Sequence, residues 1–234
     1  MIQLIGQYWQ SYLYSDGYRL SGLVITLWLL VVSVGLGFVL AVPLAVARAS
    51  RNRFISGPVW LYTYIFRGTP LYVQLLLIYS GIYGLGFVQH TAPLNDFFRQ
   101  AINCTVLSFA LNTGAYTTEI FAGAIKETSF GEVDAARAFG MSQVTLYRRI
   151  IIPSALRRAL PVYSNEVILM LHATTLAFTA TVPDILKVAH DAYSATYDPF
   201  DSFTLAALIY LCVSFALIFG FRRAERHFLA FLQP

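Results

Sequence analysis

Charge is what this chain has least of. Asp, Glu, Lys and Arg make up 12% of its 234 residues, about half the share found in an average soluble domain. A soluble protein of this length needs more charge to stay dispersed, and a disordered chain carries the opposite balance of charge and apolar bulk. Both classes are excluded. Cysteine is scarce too: Cys104 and Cys212 lie in separate apolar runs, with no disulfide framework and no metal-binding spacing. None of His90, His172, His190 and His227 has a partner at ligand spacing, so no metal site is expected. The phosphate-cradling G-x-x-x-x-G-K-[ST] loop and the H-E-x-x-H pair are missing, and no serine stands in G-x-S-x-G. No bound cofactor is expected on this chain, and an enzyme is not expected either.

What the chain has instead is apolar bulk. Hydrophobic residues are 57% of the sequence and the mean hydropathy is +0.62, which indicates an all-α integral membrane protein. The length is one domain's worth, enough for about five helices of about 20 residues each. Apolar runs place them at 20–47, 58–83, 102–125, 160–182 and 202–221. Pro43 and Pro70 are expected to kink or cap their helices, and the cluster Gly81, Gly84 and Gly86 to end the second run. Residues 1–19 precede the first span, and Tyr8 to Tyr18 reads as an interfacial aromatic segment. Met1 to Gln10 has neither a basic n-region nor a small-residue cleavage site, so no removable signal peptide is expected. Residues 223–234 form a short tail.

The basic residues are distributed by membrane side. With five alternating spans, one side collects twelve cations against four acids, or +8: Arg48, Arg51, Arg53, Lys126, Arg137, Arg148, Arg149, Arg157, Arg158, Arg222, Arg223 and Arg226 against Glu127, Glu132, Asp134 and Glu225. The other side holds Arg19, Arg99 and Lys187 against six aspartates, or −3. The positive-inside rule then sets the N-terminus outside and the C-terminus inside. A pI near 9.1 follows from this sidedness, and no nucleic-acid partner is expected; the lipid bilayer is.

The loop at 126–159 lies on the basic side and reads as structured. Ser129 and Glu132 have capping-box spacing, which predicts a helix from Phe130 to Phe139 with Gly140 as a left-handed cap. Ser142 can cap a second helix reaching about Ile151, and Pro153 is expected to break it. The plain alternative is a re-entry loop that only joins spans three and four.

Asp134-Ala135-Ala136, Gly140 and Ile150-Ile151-Ile152-Pro153 resemble the E-A-A-x3-G-x9-I-x-L-P loop of binding-protein-dependent ABC importer permeases, with Asp134 for Glu and Ile152 for Leu. Phe66-Arg67-Gly68-Thr69-Pro70-Leu71-Tyr72-Val73-Gln74-Leu75 resembles the R-G-T-P-L-x-V-Q-L segment of the polar amino-acid branch. So do Tyr116 to Ile125, with Ala122 where many members carry Arg, and Asn165-Glu166 with Thr174-Thr175-Leu176, where His172 stands at the usual Lys position and Thr175 at the Ser position. The likeness covers about Leu20 to Phe221 and is strongest to subunits serving basic amino acids (histidine, arginine, lysine, ornithine). It implies a MetI-like permease fold and a bacterial inner membrane location. The implied partners are a second homologous permease subunit, two ATP-binding subunits that carry the ATP, and a periplasmic binding protein. Asp134, Ala135, Ala136, Arg137, Gly140, Ile150 and Pro153 would couple to the ATPase; Arg67, Gly68, Thr69 and Pro70 would be structural or gating.

Polar residues within the spans are functional candidates by default, because an ionisable group at mid-bilayer is costly. Asn112, Tyr116, Glu119 and Gly123 fall on one stripe of span three; Glu119 could line a path or pair with Arg67 toward the inner surface. Asn165, Ile168, His172, Thr175 and Thr179 fall within about an 80° arc of span four. His172 reads as near mid-bilayer. Glu166 is about 100° off the stripe and nearer the inner end, where it could balance a cationic substrate or face the second permease. The threonines could instead bond back to i−4 carbonyls. Alternatives are a permease for other polar amino acids, or a secondary amino-acid transporter, which would usually show internal repeats and more spans. A channel would need a ring of selectivity groups built by oligomerisation.

Overall fold

The first apolar run folds as one unbroken helix in the computed structural model, which describes residues 2–229. The chain order is α1 (Ile2–Leu13), α2 (Gly22–Arg48), α3 (Arg53–Gly68), α4 (Leu71–Leu76) continued by a π-helical segment (Leu77–Ile82), α5 (Gly86–His90), α6 (Ala92–Phe98), α7 (Ala101–Lys126), α8 (Phe130–Ala138), α9 (Gln143–Leu146), a second π segment (Tyr147–Ile151), α10 (Ile152–Ala173), a 3-10 segment (Thr174–Ala180), α11 (Ile185–Thr196) and α12 (Pro199–Phe228). Among the described residues there are no strands, only isolated bridges at Ser15–Leu20 and Gly22–Asp184.

Two helices, α2 and α12, are by themselves long and apolar enough to cross a bilayer, with mean hydropathy 2.7 and 2.3 over their best windows. Helix α7 is one residue shorter than α2 and more polar, and its Thr105, Ser108, Asn112, Thr113, Thr117 and Thr118 are buried against other helices. It is the hub of the bundle. Helices α2 and α7 run parallel: Ile25, Leu29 and Leu30 share a cluster with Phe109 at one end, and Ala41 and Ala45 share another with Phe121, Ala122 and Ile125 at the other. Helix α10 runs the opposite way, entering the second cluster with Ala155 and Ala159 and the first with Val167, Met170 and Leu171. Helix α12 is antiparallel to α10, since Ser214 meets His172 and Glu225 meets Ser164.

Small residues set the spacing of the central pair. A Cβ on Gly37 would stand 2.5 Å from Thr113 Cγ2 and 3.1 Å from the Gly114 nitrogen. Where no hydrophobic force draws helices together, such close backbone approach is what packs them.

The structure corrects several sequence expectations. Pro43 lies inside α2, which removes the cap but not the kink from its two expected roles. The second run is not one helix but breaks at Thr69–Pro70, where extended backbone separates α3 from α4. The segment after Gly86 folds as α5 and α6, and the stretch after Pro183 as α11, capped by Asp184, whose carboxylate accepts from the Leu186 and Lys187 nitrogens. That cap was not anticipated. Helix α1 docks through buried Tyr12, whose hydroxyl donates to the Ser202 carbonyl at 2.9 Å; Trp9, Tyr14 and Tyr18 are exposed.

Gly37→Leu is expected to push α2 and α7 apart and cost about 1–3 kcal/mol by overpacking. Gly35→Leu, at a position with nothing within 4 Å, is the control. Thermal unfolding in detergent should separate the two; equal melting temperatures would contradict the packing argument.

Candidate functional site

The polar groups of the bundle gather where α3, α4, α7 and α10 meet. At the α3–α4 break the freed backbone groups need partners, because an apolar surround offers no water. Gln74 supplies them. Its Nε2 donates to the Phe66 carbonyl at 2.8 Å, to Thr69 Oγ1 at 2.8 Å and to the Thr69 carbonyl at 3.0 Å. Asn112 Nδ2 donates to Gln74 Oε1 at 3.1 Å and to the Phe66 carbonyl at 3.0 Å. Both amides are buried. The break sets Arg67 with its guanidinium 5.2 Å from the Tyr116 ring centre, and the Tyr116 hydroxyl donates to the Arg67 carbonyl at 3.4 Å. Gly68 and Thr69 line the same cleft, and Pro70, without an N–H, stands just before α4.

Glu119 pairs with Arg48, not with Arg67. Arg48 Nε and Thr63 Oγ1 both donate to Glu119 Oε1, at 2.7 and 2.6 Å. These groups line a cleft of about 500 Å³ with Trp60, Arg67 and Thr69. The sequence reading offered Arg67, near the inner surface, as its partner. Arg48 is reached only because α2 and α7 run parallel and side by side.

Glu166 faces inward, onto α7, where Thr113 Oγ1 donates to Oε1 at 3.1 Å. It sits level with the middle of α7, deeper than the sequence reading placed it. Asn165 and His172 face outward and are exposed, with Ile168, Thr175 and Thr179 partly so. The stripe is therefore an open face of this chain. His172 Nε2 lies 3.2 Å from Ser214 Oγ of α12. The threonine hydroxyls do bond back to the helix, but to i−3 carbonyls: Thr174 to Leu171, Thr175 to His172 and Thr179 to Leu176. A 3-10 turn brings the i−3 carbonyl into reach.

At the basic end, α8 and α9 form the expected hairpin. Gly140 has φ +74°, in the left-handed region that favours glycine, and Ser142 Oγ accepts from the Thr145 nitrogen at 3.3 Å. Ser129 makes no side-chain cap bond, so the capping box is not formed. Pro153 does not break the rod: the helix continues from α9 through the π segment into α10. The wider π turn just before Pro153 accommodates its missing donor and bulky ring, which would otherwise clash with the preceding turn. Ala136, Leu146 and Ile151 are buried against α2 and α7, with Ile150 packed beside them. Asp134 and Ala135 are exposed, Arg137 lies 3.7 Å from Asp134, and Phe130, Phe139 and Val144 stand out bare. Arg158, not singled out beforehand, ties the hairpin's base to α7 by donating to the Ala124 carbonyl at 3.0 Å and Thr128 Oγ1 at 2.9 Å.

The amide staple is directly testable. Gln74→Leu and Asn112→Leu should each cost about 1–3 kcal/mol by leaving the Phe66 and Thr69 acceptors short of donors, and the double variant should cost less than the sum of the two. Denaturation of the four proteins in detergent checks this; additive losses would show that the amides act independently.

The comparisons agree with this architecture. Residues 33–228 match the family model described as binding-protein-dependent transport system inner membrane component. The histidine/lysine/arginine/ornithine transport system permease protein HisM of Salmonella typhimurium is 63% identical over 229 residues, covering 98% of this chain and 97% of that one. The protein of the same name from Escherichia coli is 60% identical over 234 residues, covering 100% and 98%. A solved structure of an amino acid ABC transporter with histidines superposes with TM-score 0.75 at 30% identity, covering 88% of this chain and 92% of that one. This chain belongs to the family of binding-protein-dependent transport system inner membrane components, the permeases of ABC importers.

Proposed function

We propose that this chain is one half of the translocation path of an ATP-driven importer for basic amino acids. The observation that carries the reading is the continuous rod from α9 through α10. One end bears a hairpin with bare Phe130, Phe139 and Val144. The middle bears Glu166 and the outward-facing Asn165, with His172 farther along and Thr175 and Thr179 in the 3-10 segment that follows. A push on the hairpin is passed to that middle without an intervening hinge. Arg158 and the buried Ala136, Leu146 and Ile151 pass the same push to α7.

In this reading the chain crosses the inner membrane five times. The crossings are α2, the α3–α4 pair, α7, α10 with its 3-10 extension, and α12, with the +8 side in the cytoplasm as the positive-inside rule requires. Residues 126–159 are the coupling loop. Asp134, Ala135, Ala136, Arg137, Gly140, Ile150 and Pro153 shape its contact with an ATP-binding subunit, and ATP stays on that subunit. The open stripe of α10 faces a second, homologous permease across the path, and a periplasmic binding protein delivers substrate from the −3 side. The relatives named for histidine, lysine, arginine and ornithine transport support a cationic substrate. Glu166 supplies a carboxylate at mid-membrane to balance it, Glu119 and Arg67 border the adjacent cleft, and the Tyr116 ring packs under the Arg67 guanidinium. Closure of the ATPase subunits moves the hairpin, and α7 and α10 then change their tilt together, so access alternates around Glu166.

Two substitutions test the reading in the assembled transporter. Gly140→Asp forces a non-glycine residue to φ +74° and places a charge on the hairpin tip; it should abolish uptake while the chain still inserts. Normal uptake would remove the coupling role. Glu166→Gln should lower the apparent affinity for arginine about tenfold, the equivalent of 1.4 kcal/mol, with assembly intact. Unchanged arginine kinetics would reject a substrate role for Glu166. Competition by glutamine as strong as by lysine would favour a permease for other polar amino acids.

A further inference from the structure

The outward face of α12 has an ordered chemical profile. Leu208, Phe215, Phe219, Arg222, Arg223 and Arg226 fall within about 100° of its circumference, and all are exposed. Only 11% of the helix's apolar window is buried inside the chain. The apolar part, Leu208 to Phe219, is about 17 Å long at the helical rise, close to the depth of one leaflet's hydrocarbon. The face then turns basic. Phe219, the three arginines and His227 line a concavity of about 460 Å³.

The three guanidiniums have no ion pair or hydrogen bond among the described residues. The acid within this run, Glu225, stands about 60° from Arg222 and about 100° from Arg226 around the helix, and it accepts from Ser164 Oγ at 3.1 Å on α10. A helix C-terminus favours cations, but it carries only about half a negative charge. Three cations on one face therefore repel one another, and among the described residues no anion pairs with them. A phosphodiester relieves this, because guanidinium forks bind phosphate oxygens two at a time. Basic pockets at the cytoplasmic ends of spanning helices suit acidic lipid headgroups.

We propose that this face is a binding site for an anionic phospholipid. Its phosphate lies among Arg222, Arg223 and Arg226, and its acyl chains lie along Phe219, Phe215 and Leu208. The inference rests on α12 crossing a bilayer and not on the identity of the transported solute, so unchanged arginine kinetics in Glu166→Gln would leave it standing.

The test uses the assembled transporter in nanodiscs of phosphatidylglycerol and phosphatidylcholine mixed in equal parts, extracted gently and weighed by native mass spectrometry. The wild type should retain phosphatidylglycerol over phosphatidylcholine by about fivefold. The R222Q/R223Q/R226Q variant should lose that preference. Equal retention by the two proteins overturns the proposal. If the Gln variant does not insert, the R222K/R223K/R226K variant carries the test. Its preference should fall at least about twofold, because ammonium lacks the fork, and an unchanged preference overturns the fork-held site. Glycerol 3-phosphate should not displace the lipid; displacement would mark a site for soluble phosphate instead. Loss of the ATP-binding subunits from the Gln variant with its lipid preference intact would make this face a protein interface and likewise overturn the proposal.

Discussion

A polar atom held among apolar helices is costly unless it finds a partner within the bundle, because no water is there to serve it; Ser108 Oγ and Thr117 Oγ1 of α7 are buried without one, and most of the larger polar groups are paired. Much of the architecture around α7 follows from this constraint. The break between α3 and α4 frees backbone groups, and the Gln74 and Asn112 amides take them up. A carboxylate on α7 draws Arg48 from α2 and Thr63 from α3 onto one oxygen. The 3-10 turn after α10 bends the hydroxyls of Thr174, Thr175 and Thr179 onto their own backbone. Helix α7 tolerates so many small polar residues because nearly all of them face other helices.

The same constraint explains how a helix-breaking residue can sit inside a lever. Pro153 lacks a donor, and the π segment before it changes the turn's spacing so that the rod continues. The hairpin is seated on the ends of α2 and α7 by alanines and by Arg158. Small side chains keep the backbones close, and close backbones move together. A proposed path around Glu166 thus needs no flexible joint to feel a push on the hairpin. The open stripe of α10 and the bare phenylalanines of α8 are the surfaces this chain leaves uncovered when taken alone.

Much of this was legible in the residues. The apolar runs located α2 and α7 to within two residues, but α10 begins eight residues before its run, α12 ends seven residues after its run, and the second run concealed a break. The Asp134-Ala135-Ala136 to Pro153 pattern announced the hairpin, and Gly140 announced its turn. Ser129 looked like half of a capping box, yet spacing alone does not orient a side chain, and its hydroxyl is not used that way. Helix α11 was missed because its 12 residues mix polar and apolar positions between two stronger runs. Gln74 stood in a quoted segment, and its role as a staple depends on Phe66 and Asn112 arriving beside it.

By itself, then, the sequence determined the chemical class of the protein, the order of its long helices and the place of the hairpin turn at Gly140. Each of these follows from local composition or from spacing along one helix. The tertiary structure decided which polar groups meet: Glu119 with Arg48, Glu166 with Thr113, Gln74 with Asn112, His172 with Ser214. Helical periodicity says which residues share a face, but it does not say which other helix that face will touch. That choice was made by the close parallel packing of α2 on α7 at Gly37 and by the rotation of α10 that turns Glu166 inward and leaves Asn165 and His172 outside.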